Sequence, residues 1–286
     1  MIKAFRPMAI CAISVAFATS SIASAQSYTT VDFPGADFTF LNGGPNPEGT
    51  SVGFYGASGV IHGFTVKKGV FTSFDPPGST ATLPAWISPQ GVIVGSYVDS
   101  GGTVHGFILD GGNYTTVDFP GAAGTSLSGL SPSGEMAGSS CEVADCSGTT
   151  HSFVVSKDGV FTSFDPPGAA SSGASTVNPS GTVVGSYTDS DGDTHGYQLY
   201  HGTFTTIDFP GSVFTFAGAN NPAGDIVGEY VDTADVGHGF LLSNGVFTSF
   251  DFPGAVETDA TGINPSGTIV GVYFEADVSH GFIRTP

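Results

Sequence analysis

Residues 248–282 read TSFDFPGAVETDATGINPSGTIVGVYFEADVSHGF, and four marks in this stretch recur through the whole chain. They are the tetrad Asp251-Phe252-Pro253-Gly254, the turn Asn264-Pro265-Ser266-Gly267, a glycine at Gly271 and a histidine at His280. The tetrad returns as Asp-(Phe or Pro)-Pro-Gly at Asp32, Asp75, Asp118, Asp165 and Asp208, and the Asn/Ser-Pro-x-Gly turn at Asn46, Ser88, Ser131, Asn178 and Asn221. The glycine returns at Gly53, Gly95, Gly138, Gly185 and Gly228, and the histidine at His62, His105, His151, His195 and His238. All four marks count six units, and self-similarity of this kind is read before secondary structure.

Within the quoted unit, glycine, proline and Asx residues cut the chain into strand-length pieces with no run long enough for a helix. The pieces are Val246 to Phe252, Thr258 to Asn264, Thr268 to Phe274 and Ser279 to Arg284. Four strands per repeat is the size of a propeller blade. Apolar residues fall on both faces, as in Ile93-Val94-Gly95-Ser96-Tyr97, which suits sheets sandwiched between neighbours. The chain opens on a lone fourth strand, Tyr28 to Phe33, and stops after a third, Gly281 to Thr285, so each end supplies what the other lacks. An open stack would leave unpaired edges with no capping repeat. The expected fold is therefore all-β, a six-bladed β-propeller of four-stranded blades over residues 26–286, closed by the N-terminal strand. An open repeat array is the competitor.

Before that domain, Lys3 and Arg6 precede an apolar run from Met8 to Ala18 and a small-residue stretch ending Ala23-Ser24-Ala25. This reads as a signal peptide over residues 1–25, and a secreted or periplasmic chain is expected. The run is too short to span a bilayer, and no later stretch reaches the ~20 apolar residues that insertion requires. Residues 26–286 keep only Lys67, Lys68, Lys157 and Arg284 against 25 carboxylates, so nucleic acid would be repelled. The domain is expected to be a monomer. Cys141 and Cys146 lie in an oxidising compartment on this reading, and a local disulfide is favoured over a two-thiol metal site, for which only His151 is close in sequence.

The run Gly262-x-Asn264-x-x-Gly267-x-Ile269-Val270-Gly271-x-Tyr273 followed by His280-Gly281-Phe282 resembles the extracellular HAF-family repeat of bacteria. The likeness covers all of residues 26–286, with His-Gly-Phe in place of the name-giving His-Ala-Phe and Ser152 in place of that glycine. It implies secretion and a propeller-like repeat fold, and it implies no catalytic residues.

The six repeated histidines, His62, His105, His151, His195, His238 and His280, invite a metal or acid-base reading. A ring of equivalent positions cannot bring ligands together, so the adopted reading is structural: each bonds a loop or the tetrad aspartate. The repeated aspartates read as turn formers. Asp189-Ser190-Asp191-Gly192-Asp193 is a calcium candidate through Asp189, Asp191 and Asp193, but the glycine is misplaced for an EF-hand and an acidic hairpin turn is the plainer reading. No other cofactor is implied.

A ring becomes specific where one unit departs from its siblings. Counted back from the Asn/Ser-Pro turn, one column reads Gly44, Trp86, Gly129, Thr176, Ala219 and Gly262, a lone tryptophan among small residues. Trp86 reads either as core filler or as a ligand-gripping aromatic near the channel mouth. Phe38, Phe40, Phe214, Phe216 and the unrepeated acids Glu229, Glu257 and Asp259 complete the candidate site, expected on the face opposite the Asn/Ser-Pro turns. The function expected is a binding or scaffold module for an extracellular glycan or protein, with no catalytic residue assigned. The alternative is a propeller hydrolase or lyase acting on a glycan or small molecule, marked by non-repeated acids converging in a pocket.

Overall fold

The structure is a computed structural model describing residues 26–286. The expected signal peptide lies outside the described residues. Among them there is no helix, hence none long and apolar enough to cross a membrane. After β1 (Ser27–Val31), unit 1 holds β2 (Phe38–Gly43), β3 (Thr50–Ala57), β4 (Val60–Lys67) and β5 (Val70–Phe74). Unit 2 holds β6 (Ala81–Ile87), β7 (Ile93–Val98), β8 (Val104–Asp110) and β9 (Asn113–Val117). Unit 3 holds β10 (Gly124–Leu130), β11 (Met136–Cys141), β12 (Thr150–Val155) and β13 (Phe161–Phe164). Unit 4 holds β14 (Ala169–Val177), β15 (Val183–Asp189), β16 (Thr194–Tyr200) and β17 (Thr203–Ile207). Unit 5 holds β18 (Phe214–Asn220), β19 (Ile226–Val231), β20 (Gly237–Ser243) and β21 (Val246–Phe250). Unit 6 has only β22 (Glu257–Ile263), β23 (Ile269–Glu275) and β24 (Val278–Thr285), and β1 supplies its fourth strand, from Ser27↔Thr285 to Val31↔Gly281.

Every pairing within a unit is antiparallel. Two units stand as four-stranded sheets, and the other four merge in pairs into eight-stranded sheets through single parallel contacts, Ile61↔Ala81 and Thr194↔Phe214. The last unit packs on the first: Thr261 Oγ1 donates to Leu41 O at 2.7 Å, Asn264 Nδ2 to Pro45 O at 3.2 Å, and Val270 shares a core with Leu41, Tyr55 and Phe64.

Each repeated mark has a local cause. In the Asn/Ser-Pro-x-Gly turn the side-chain oxygen accepts backbone N–H groups two and four residues on, as Asn178 Oδ1 does from Ser180 and Thr182 at 3.1 and 3.0 Å. The turn's Gly181 sits at φ +77°, a conformation glycine adopts without cost. Asparagines also lace neighbouring units, Asn178 Nδ2 to Asn221 O and Asn221 Nδ2 to Asn264 O. Every first strand carries a bulge, and at the second-strand glycine a Cβ would overlap a first-strand carbonyl of the same unit: Leu83 O for Gly95 and Phe216 O for Gly228.

The tetrad joins units. Where it reads Asp-Phe-Pro-Gly, the phenylalanine N–H donates to a buried threonine of the next unit, as Phe252 to Thr258 at 3.0 Å. In three of these four tetrads the ring stacks on that unit's tyrosine, with Phe33–Tyr55, Phe209–Tyr230 and Phe252–Tyr273 centroids 3.6 to 3.7 Å apart, while Phe119 packs on Phe153 and Phe161 in unit 3. Where proline replaces phenylalanine that N–H is gone, and the hydroxyl turns to the aspartate instead: Thr82 to Asp75 and Ser172 to Asp165, both at 2.6 Å.

Candidate functional site

The six histidines do not converge. Each Nδ1 lies 2.8 to 3.1 Å from a tetrad carboxylate: His62 on Asp75, His105 on Asp118, His151 on Asp165, His195 on Asp208, His238 on Asp251 and His280 on Asp32. The last pair ties the final unit to the start of the chain. Four Nε2 atoms face a second carboxylate at 3.5 to 3.7 Å: Asp99, Glu142, Asp189 and Asp232. The hydrogen bond to Asp165 raises the affinity of His151 for its proton. At His195 burial pulls the other way and is outweighed by Asp208 and Asp189. Asp189 Oδ1 is occupied by the backbone N–H groups of Asp191 and Asp193 at 2.9 and 3.0 Å, an acidic hairpin turn. Among the described residues no group of three ligand-type side chains is placed to hold a metal ion. Cys141 and Cys146 form a disulfide. Beside it lies an open depression of about 440 Å³ reaching Phe119, Glu142 and His151.

Trp86 lies on β6 of unit 2. Strand register corrects its column: Trp86 lies opposite Val94 as Gly43 lies opposite Val52, so the unit 1 equivalent is Gly43 rather than Gly44. Counting back from the turn misplaces it because the unit 1 hairpin is one residue longer. The indole is half-buried and reaches across to unit 6, where its Cζ3 is 3.7 Å from a Cβ position on Gly262, and it packs against core residues of units 3 and 6. It borders two cavities. One, of about 90 Å³, is an apolar funnel to which all six units contribute, walled by Pro47, Pro89, Pro132, Pro179, Pro222 and Pro265. The other, of about 170 Å³, is shared with Asn42, Ser128, Phe216 and Thr261.

The expected site is thereby divided. Trp86 borders the cavity of the Asn/Ser-Pro turns rather than the opposite face expected from the sequence, because it lies near the end of β6, two residues before Ser88. The six prolines belong to the repeated Asn/Ser-Pro turn, whose uniformity reads as scaffold rather than as a site. Of the phenylalanines only Phe216 shares a cavity with Trp86. Phe38 packs over Gly56 and edge-on to Phe40 at 6.0 Å, and Phe214 sits opposite Val231 at the start of β18.

The three unrepeated acids meet where unit 5 joins unit 6. Glu229 lies on β19, Glu257 and Asp259 on β22, and a Cβ on Gly237 would lie 2.7 Å from Glu229 Oε1 and 2.8 Å from Glu257 Oε1. Burial, then the Asp259 and Glu257 charges, push Glu229 up to about 8. Burial and Glu257 push Asp259 up to about 7. Asp259 Oδ1 is sealed from solvent without a hydrogen-bond partner. None of the cavities described above is lined by these acids.

No family model matches the chain, and no curated protein does. Solved structures do match. Virginiamycin B lyase from Staphylococcus aureus is 11% identical, with a TM-score of 0.54 over 91% of this chain and 100% of its own. A putative TolB from Agrobacterium tumefaciens is 17% identical, at 0.55 over 74% and 80%. The Aleuria aurantia lectin, solved with alpha-methyl-L-fucoside, is 13% identical, at 0.54 over 87% and 93%. At these identities the likeness shows the fold alone: the chain is a β-propeller.

Proposed function

We propose that this protein is an extracytoplasmic binding module, a six-bladed propeller closed by β1, whose ligand docks on the ring axis at the Asn/Ser-Pro face against Trp86. The observation that carries the reading is the funnel itself: one apolar concavity drawn from all six units, with the chain's one tryptophan, the sharpest departure from the repeat, at its base. Apolar walls with a few fixed polar groups are how ligand sites are commonly built. Its small volume suits a glycan or protein that presents one compact apolar group, with the rest of the ligand lying across the rim. Closure is supported by the β1–β24 pairing, the His280–Asp32 contact and the contacts of Thr261 and Asn264 with unit 1. The signal-like leader and the resemblance to HAF repeats support the location.

The enzyme reading draws on the convergence of Glu229, Glu257 and Asp259, whose proton affinities fit acid-base chemistry. It is the weaker one, because a substrate needs a cavity beside the acids and those described lie elsewhere. A panel of glycans, peptides and small metabolites, followed by tryptophan fluorescence on residues 26–286, tests the binding reading. A saturable change that Trp86→Ala abolishes with the fold intact supports it. A ligand that binds Trp86→Ala with parental affinity overturns it.

A further inference from the structure

We propose that the depression beside the disulfide in unit 3 is a second binding site, which receives a para-substituted phenol ring in a slot that the sibling units fill with a tyrosine of their own. Directly opposite each of five repeated histidines stands a tyrosine on the second strand: Tyr55 on His62, Tyr97 on His105, Tyr187 on His195, Tyr230 on His238 and Tyr273 on His280. Their ring centroids lie 5.1 to 5.3 Å apart. In units 1, 5 and 6 the same tyrosine also stacks on the tetrad phenylalanine. Unit 3 breaks the column, with Ser140 opposite His151.

Phe119 is therefore the tetrad phenylalanine without a tyrosine to stack on. It keeps the remaining aromatic contacts, Phe153 at 5.3 Å and Phe161 at 5.4 Å, as Phe33 keeps Phe64 and Phe71 at 5.8 and 5.4 Å. The three residues in the positions that frame a sibling tyrosine, Phe119, Ser140 and His151, instead line an open depression of about 440 Å³, together with Cys141 and Glu142. The His151 side chain is 38% exposed against 20 to 29% for the other five, as expected where the covering ring is gone. The wall is held in place. Cys141–Cys146 pins the loop that follows β11, and Ala144 O of that loop accepts from Val104 N of unit 2 at 2.8 Å.

The sibling units define what fits. A flat six-membered ring against Phe119 repeats the stacking of Tyr55 on Phe33 and removes apolar surface from water. Ser140 stands where a sibling tyrosine would grow from the strand, so a ligand enters from solvent, and with its hydroxyl leading it meets Ser140 Oγ. That oxygen donates only a long bond of 3.4 Å to His151 O, which leaves its lone pairs to accept from a phenol O–H. The para substituent then points outward through the open side of the depression. A free phenol and a tyrosine side chain of another polypeptide carry the same ring.

NMR titration of residues 26–286, following the ring resonances of Phe119 and His151, tests this with N-acetyltyrosinamide as the probe, against N-acetylphenylalaninamide and p-cresol. N-acetyltyrosinamide should bind saturably and shift both rings. N-acetylphenylalaninamide, which lacks the hydroxyl, should bind about fivefold more weakly, as expected for one neutral hydrogen bond. p-Cresol distinguishes the sources: affinity equal to that of the tyrosine amide supports a free phenol, and weaker binding supports a tyrosine side chain whose backbone is also held. Ser140→Tyr restores the sibling arrangement and should abolish binding while raising the melting temperature. Ser140→Ala leaves the depression open and should remove only the preference for tyrosine over phenylalanine; it serves as the variant if Ser140→Tyr does not fold. Trp86→Ala should bind N-acetyltyrosinamide like the parent, which separates this site from the funnel. No saturable shift in the parent, equal affinity for the two amides, or parental affinity in Ser140→Tyr would each overturn the proposal.

Discussion

Replacing Gly228 with alanine puts a Cβ onto the Phe216 carbonyl oxygen and 2.9 Å from Phe240 Cε1. The oxygen belongs to a bulged first strand and the ring is fully buried, so neither neighbour can yield. The sequence alone suggests that an aromatic from the adjoining unit sets this requirement. The structure assigns it to the same unit, a first-strand carbonyl on one side and a third-strand ring on the other. Overpacking costs ~1–3 kcal/mol, and a clash with fixed backbone belongs at about the upper end. For a domain of this size that corresponds to a fall in melting temperature of roughly 6–12 °C. Gly173→Ala is the control: its Cβ meets only the Ser139 hydroxyl, which can rotate, so stability should stay within ~0.5 kcal/mol. Urea and thermal denaturation of both variants read the difference. If Gly228→Ala melts with the parent, or Gly173→Ala is equally damaging, the bulge argument fails.

Deleting residues 26–31 strips the partner from β24 and should cause aggregation or a large drop in melting temperature; a monomer melting like the parent would contradict closure. Glu229 and Asp259 hold protons more tightly folded than unfolded, so stability should fall as pH rises from the ordinary carboxylate range towards about 8. Glu229→Gln with Asp259→Asn should flatten that slope, and an unchanged pH–stability profile would rule the coupling out. Replacing Cys141 and Cys146 with serine frees a short loop and should lower stability by about 2 kcal/mol, read by denaturation under non-reducing conditions.

The β architecture and the disulfide were legible because their signals are local. Turn chemistry at Asn178-Pro179-Ser180-Gly181 and the lone strand ahead of the first tetrad need no tertiary information to be read. What stayed hidden depends on register and on contacts between units. The longer unit 1 hairpin shifts the alignment by one residue, which moves the tryptophan's counterpart from Gly44 to Gly43. The funnel prolines are conspicuous only once six turns distant in sequence are seen to line one cavity. Glu229 and Asp259 are thirty residues apart, and their names as unrepeated acids say nothing of the junction that buries them together.

The central claim is that a ligand is held on the ring axis, and the chain's one tryptophan reports on that place without a label. The decisive measurement is the emission of Trp86 titrated with each ligand found by a binding screen on residues 26–286. The account predicts a saturable shift in intensity or wavelength whose midpoint equals the calorimetric Kd, and loss of binding in Trp86→Ala. A ligand that binds by calorimetry while leaving Trp86 emission and the Trp86→Ala affinity unchanged would place recognition elsewhere and contradict the account.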